Sequence, residues 1–252
     1  MALCARLALS LHPHEGDMFR FKQFDIDDTH CAMKVGTDAV LLGAWADLRG
    51  CKRILDVGCG SGVIGLMAAQ RAPEACITGV EIDEEAVHDA QRNAEASPFA
   101  DRLQMVRDDI TRFAQRGLHF DCILSNPPYH QEDLLPPLAA RAAARHTGGG
   151  GLGFEALLQA ASTLLDSTCP TARFSLVLPT TALPHFMPLA TVYGFCPVRR
   201  TQVITRPGKP CKRTLLELRM QPAPTTDDEL VLVGDGGGRS EAYATLCRDF
   251  YL

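Results

Sequence analysis

No stretch of this chain is apolar for long enough to span a bilayer, which takes about 20 consecutive residues. No C-x-x-C pair occurs either. The ten cysteines stand singly, at positions 4, 31, 51, 59, 76, 122, 169, 196, 211 and 247, without the paired spacing of a zinc ribbon or a disulfide scaffold. Some, such as Cys76 and Cys122, lie inside apolar runs, where cysteine acts as a small hydrophobe. Reduced thiols in a cytoplasmic protein, with no metal site, are the expectation. The opening "MALCARLALSLHPHEGD" has a short apolar patch that runs into His12-Pro13-His14, whereas a secretory signal needs a charged n-region, a longer apolar core and a small-residue cleavage site, so none is expected. Residues 1–18 read as a loose extension. What remains is a chain of 252 residues, 46% hydrophobic, long enough for one sizeable domain over residues 19–252.

From residue 53 the pattern alternates. "RILDVG" reads as a strand, "VIGLMAAQR" as a helix, "CITGVEI" as a strand and "DEEAVHDAQRNAEAS" as an Asp-led helix. "LQMVRDD" and "FDCILS" are further strands, followed by the helix "LGFEALLQAASTLLD" and the strand "RFSLVLP". Such alternation predicts an α/β fold, a parallel sheet covered on both faces. Near the end, "PVRRTQVIT" and "KRTLLELRM" flank "RPGKPC", two antiparallel strands around a turn. Residues 130–153 carry few structural signals and read as a lid or a plain connection.

In "LDVGCGSGVIG", Gly58, Gly60 and Gly62 follow a strand and open a helix, allowing a tight turn and close backbone approach to a ligand. Gly60, Gly62 and Gly65 also spell G-x-G-x-x-G, the dinucleotide fingerprint, so a nicotinamide-binding oxidoreductase stands as an alternative. Glu81 ends the next strand, where a carboxylate accepts hydrogen bonds from ribose hydroxyls. Asp56, two residues before the first glycine, suits an ammonium-bearing ligand, directly or through water, better than a pyrophosphate. Asp108 and Asp109 end a third strand, placed to accept from an adenine amino group. The D-x-G-x-G-x-G pattern with these acids resembles the S-adenosylmethionine (SAM) pocket of class I methyltransferases.

Asn126-Pro127-Pro128-Tyr129 terminates the fourth strand, beside the crevice expected at carboxyl strand ends. An aromatic amine is a poor nucleophile because its lone pair is delocalised into the ring. Two acceptors on its N–H bonds draw the nitrogen toward tetrahedral geometry. The Asn126 side-chain oxygen and the Pro127 carbonyl form such a pair, the prolines stiffen the corner, and the Tyr129 ring is suited to stacking on a base. No strong general base is needed, because the methylated nitrogen sheds its proton readily.

N-P-P-Y downstream of D-x-G-x-G-x-G is similar to the methyltransferases of adenine N6 or of the glutamine amide in release factors. The glutamine enzymes carry a helical substrate domain ahead of the SAM motif, whereas only 55 residues precede Asp56 here. Guanine N2 enzymes of ribosomal RNA usually carry Phe in place of Tyr129. The block "FRFKQFDIDDTHCAMKVGTDAVLLGAWADL", with "AARAAARHT" and the ending "SEAYATLCRDFYL", resembles the bacterial tRNA(Val) adenine-37 N6-methyltransferases over most of residues 19–252. This resemblance implies a Rossmann-like class I fold with a mostly parallel seven-stranded sheet and a C-terminal antiparallel hairpin. It further implies SAM as methyl donor, tRNA as partner with no obligate protein partner, and catalytic roles for Asn126, Pro127, Pro128 and Tyr129. Within an N-terminal lead-in of residues 19–52, it implies that Lys34, Gly36 and Thr37 border the methionine end of SAM. Read physically, Thr37 or Asp38 caps an amphipathic helix from Ala39 to Ala46.

The formal charge of -5 fits poorly with RNA binding, which needs local positive charge. Between Arg199 and Arg219, however, Arg199, Arg200, Arg206, Lys209, Lys212, Arg213 and Arg219 face only Glu217. Phosphate contacts are expected there, chiefly from Arg199, Arg200, Lys209, Lys212 and Arg213, with Arg141, Arg145 and His146 adding to them.

Overall fold

The computed structural model describes residues 18–128 and 152–252. The lead-in forms an antiparallel ribbon, β1 (Met18–Arg20) with β2 (Asp25–Asp27), and then helix α1 (Thr37–Trp45). Alternation follows through β3 (Arg53–Val57), α2 (Val63–Arg71), β4 (Cys76–Glu81), α3 (Glu84–Ala96), β5 (Leu103–Arg107), α4 (Ile110–Phe113) and β6 (Cys122–Ser125). From residue 152 onward come α5 (Phe154–Leu164), β7 (Arg173–Pro179), α6 (Leu183–Val192), β8 (Cys196–Ile204), β9 (Arg213–Arg219), β10 (Thr226–Val231) and α7 (Glu241–Leu246).

Strands β3 to β10 make one eight-stranded sheet in the order β10-β8-β9-β7-β6-β3-β4-β5. Neighbours from β7 through β5 are all parallel, while β9 runs antiparallel to both β7 and β8. The Rossmann-like class with its antiparallel hairpin is therefore present, with eight strands instead of seven. The extra strand, β10, pairs parallel to β8 at the sheet's edge. Its sequence, T-D-D-E-L-V, has too many acids to read as a strand, yet charge is what an edge strand carries to deter further pairing.

Adjacent strand residues point to opposite faces, and both faces are covered. Ile54 and Ile77 pack with Leu41, Leu42, Leu66 and Met67 of α1 and α2. Leu55, Ile123 and Phe174 pack on the other side with Leu157, Leu164 and Phe186 of α5 and α6. From β3 the chain winds first toward β4 and β5, then returns to β6 and β7 on the other side. That reversal opens a crevice at the carboxyl strand ends.

Two local expectations need correction. Helix α1 is capped by Gly36, with no side-chain hydrogen bond from Thr37 or Asp38, and it is not amphipathic: every residue from Ala39 to Trp45 is buried. It lies against α2, β7 and β9, so little of it faces solvent. Cys76, at the start of β4, is exposed rather than packed, although the described cysteines are free thiols as expected. Met18 opens β1, while the rest of the N-terminal extension lies outside the described residues.

Candidate active site

The carboxyl ends of β3, β4, β5 and β6 surround a cavity of about 440 Å³. Gly58 and Gly60, both in the cavity wall, adopt left-handed φ values of 67° and 51°. A Cβ on either would meet nothing within 4 Å, so their backbone is bare toward open space. Gly62 differs: it begins α2 at φ 81°, outside the cavity wall, with Met105 and Ala90 packed where its Cβ would be. Glu81 lines the cavity at the end of β4 and also braces the turn. Its Oε2 accepts the Gly60 N–H at 3.0 Å, and Oε1 accepts those of Ile82 and Asp83 at 2.8 and 3.1 Å.

Asp56 does not line the cavity. It is fully buried beneath the turn, where Oδ2 accepts the Gly65 N–H in the first turn of α2 at 2.9 Å and Oδ1 has no partner among the described residues. Burial raises its pKa to about 7, the Gly65 hydrogen bond opposes that shift, and repulsion from Glu81 adds to it. Direct contact with a ligand ammonium, one of the two options read from the sequence, is replaced by support from below. Two carboxylates thus hold the Gly60 and Gly65 amides that a pyrophosphate at this helix N-terminus would need. A dinucleotide fits this turn poorly. A cationic nucleoside such as SAM fits it: the acids gain a counter-charge, and the orphaned Asp56 oxygen gains a reason to be there.

Asp108 and Asp109 both reach the cavity wall. Burial pushes Asp108 up, but its bond to Arg112 at 2.5 Å and the charges of Arg112 and Arg116 hold it below the usual carboxylate range. Its oxygens are committed to those guanidiniums and to the Asp109 N–H. Asp109 caps α4, and its bonds from Thr111 keep its pKa low. Both of those bonds fall on Oδ1.

The lead-in supplies another wall, but with Cys31, Ala32 and Met33 rather than the neighbouring residues expected. Lys34 points its ammonium at the carbonyls of Asp28 and Thr29, at 2.6 and 2.9 Å. Gly36 and Thr37 begin α1, outside the wall. Sequence reasoning missed what holds this wall in place. Asp89 of α3, its side chain fully buried, accepts from the His30 N–H, and its other oxygen contacts His30 Nδ1 at 2.9 Å. Asn93, one turn later, bridges Asp27 and the Ser61 carbonyl of the glycine-rich turn. In the sequence they show only as an acid and an amide spaced i, i+4 on α3, with nothing to mark them as buried.

Ser125, Asn126, Pro127 and Pro128 also line the cavity, together with Leu152, Gly153 and Ala156. Ser125 Oγ donates to the Val57 carbonyl at 3.0 Å, tying the end of β6 to the end of β3. Tyr129, Arg141, Arg145, His146 and the lid expectation up to residue 151 fall outside the described residues.

The basic hairpin divides in two. Arg199 stacks over Trp45 at 4.2 Å, Arg200 pairs with Asp227 at 2.6 Å, Arg213 with Asp38 at 2.7 Å and Arg219 with Glu217 at 3.0 Å. Arg206, Lys209 and Lys212 are exposed and form no ion pair with another described residue.

Residues 31–152 match the methyltransferase small domain family. A tRNA1(Val) (adenine(37)-N6)-methyltransferase from Tolumonas auensis is 43% identical over 238 residues, covering 94% of this chain and 98% of that protein. The chain belongs to this tRNA1(Val) (adenine(37)-N6)-methyltransferase family. A relative of the same name from Phocaeicola vulgatus is 42% identical, covering 93% of this chain and 97% of that protein. Among solved structures, a predicted O-methyltransferase from Agrobacterium tumefaciens shares the fold with a TM-score of 0.66 at 24% identity, over 84% of this chain and 96% of that one. The methyltransferase small domain match opens at Cys31 and closes at Leu152, both of which line the cavity.

Proposed function

We propose that this methyltransferase uses SAM to methylate the exocyclic N6 amine of an adenine in tRNA, by direct in-line displacement. Adenine 37 of tRNA1(Val), the target in its relatives' name, is the substrate this reading adopts. The observation that carries it is the placement of Asn126, Pro127 and Pro128 in the same cavity wall as Gly58, Gly60 and Glu81. A rigid amine-binding corner thus faces a turn built for a cationic nucleoside.

When bound, SAM supplies a methyl group on a sulfonium, with a neutral thioether as leaving group. Glu81 would hold the ribose hydroxyls with the lone pairs its backbone bonds do not use. Asp109, the less committed of its pair, would accept from the cofactor's adenine amine, while Asp56 would stabilise the positive end from beneath the turn. At the target base, the Asn126 side-chain oxygen and the Pro127 carbonyl accept the two N–H bonds, localising the nitrogen lone pair. On such a nitrogen the methyl group would be accepted in line, with the thioether as leaving group, and the cationic product would release its proton to solvent. The Tyr129 ring stacks on the base. A tRNA substrate places this reaction in the cytoplasm.

The test offers labelled SAM to total tRNA, ribosomal RNA, DNA and a release factor in parallel, followed by digestion of the labelled product. N6-methyladenosine from tRNA is the expected result. Label in a release-factor glutamine, or as N2-methylguanosine in ribosomal RNA, would overturn the proposal.

A further inference from the structure

The turn joining β8 to β9, residues 205–212, leaves the sheet on the same edge as the Asn-Pro-Pro corner. Strand β7 runs parallel to β6 with Leu176 opposite Ser125, and β9 returns along it with Arg213 opposite Pro179. The turn therefore starts three residues farther out than the end of β6, roughly 10 Å at ~3.3 Å per residue. It stands two strands to the side, about another 10 Å. A strand of RNA whose base enters the corner must pass close to it.

The turn is also stiff. Lys209 N–H donates to the Arg206 carbonyl at 3.1 Å, and Gly208 has φ 73°. With Pro207 before it, this is the type II pattern of proline then left-handed glycine. At its base, Thr180 N–H donates to the Lys212 carbonyl at 3.1 Å, and Thr180 Oγ1 contacts Cys211 Sγ at 3.1 Å. The backbone that carries these cations is therefore fixed before anything binds. Arg206, Lys209 and Lys212 are exposed with no carboxylate partner among the described residues, while Arg200, Arg213 and Arg219 below them pair with carboxylates and Arg199 stacks over Trp45. Unrelieved like charge on a rigid turn favours a polyanion.

We infer that this turn is a fixed phosphate-binding prop for the RNA strand flanking the target adenine, with Arg206, Lys209 and Lys212 making the contacts. Arg199, Arg200, Arg213 and Arg219 hold the hairpin in shape instead of touching RNA. The inference rests on the RNA reading of the corner.

The test compares wild type with the triple variant Arg206→Gln/Lys209→Gln/Lys212→Gln, using unmodified tRNA-Val transcript over a range of KCl concentrations. Each lost contact to single-stranded RNA reduces the log–log salt slope by about 0.7, so the slope should fall by about 2 and KM for tRNA should rise roughly ten- to fiftyfold. Turnover at saturating tRNA and SAM affinity should hold. The control Arg49→Gln/Lys52→Gln removes charge from the opposite edge, before β3, and should leave the slope unchanged. If wild type labels tRNA and the triple variant keeps its KM and slope, the prop is wrong and the methylation proposal stands. If wild type labels no RNA at all, both fall together.

Discussion

The side-chain amide of Asn93 pairs with the backbone of Asp27 as a neighbouring strand would. Asn93 Oδ1 accepts the Asp27 N–H at 2.8 Å, and Nδ2 donates to the Asp27 carbonyl at 2.7 Å. The same Nδ2 reaches the Ser61 carbonyl at 2.9 Å, so one buried residue joins the lead-in to the glycine-rich turn. Asn93→Ala leaves those backbone groups without partners, which costs about 1–3 kcal/mol for a buried group. A lower Tm together with roughly tenfold weaker SAM binding, read by calorimetry well below Tm, is the expected outcome. Loss of Tm with unchanged SAM affinity would mean that Asn93 supports only the fold.

Glu81 answers a different question, whether the cofactor turn depends on one carboxylate. Glu81→Gln leaves one acceptor oxygen for the three amides of Gly60, Ile82 and Asp83. SAM affinity should fall about ten- to hundredfold, the usual worth of a charged hydrogen bond at about 1.5–3 kcal/mol. Stability should fall as well, because the turn is braced from this side chain. Unchanged SAM affinity in a titration would remove Glu81 from the cofactor site.

Asp56 gives the protein a pH dependence. Its folded pKa, raised to about 7 by burial, lies above its value in the unfolded chain. Its contribution to stability is therefore greatest in acid and is lost as pH rises through about 7. A cation bound above the turn lowers that pKa, so SAM binding should release a proton and tighten as pH rises. Calorimetry in buffers of different ionisation enthalpy should detect the proton, and Asp56→Asn should abolish both effects. A wild-type affinity that is flat across this range would contradict the role given to Asp56.

Much of the cavity wall was legible because it is local. Gly58, Gly60, Glu81 and the Asn126 corner each follow directly from a strand end, where turn chemistry and function are written in adjacent letters. The lead-in wall was placed a few residues off, at Lys34, Gly36 and Thr37 instead of Cys31 to Met33. Its position is set by Asp89 and Asn93, which lie some 60 residues away and look like ordinary polar helix positions. The partners of the basic hairpin were hidden for the same reason. Nothing near Arg199, Arg200 or Arg213 in sequence announces Trp45, Asp227 or Asp38 as partners. The eighth strand was missed because an acidic edge strand lacks the apolar run that marks a central one.

Tyr129 offers a test that separates binding from chemistry. If its ring stacks on the target base as proposed, Tyr129→Ala loses about 1–3 kcal/mol per base and should weaken tRNA engagement as well as the rate. Tyr129→Phe keeps the ring and should change both only slightly. A large loss in the Phe variant, measured as KM and kcat for tRNA, would show that the hydroxyl does the work.

The central claim is that Asn126 assists the transfer itself. The direct measurement is single-turnover methylation by Asn126→Ala with SAM and tRNA both saturating. Loss of a preorganised transition-state acceptor costs about 2.7–4 kcal/mol, so the rate should drop roughly a hundred- to thousandfold while SAM affinity is kept. A near-normal rate in that variant would reduce Asn-Pro-Pro-Tyr to a strand-ending turn and contradict the mechanism.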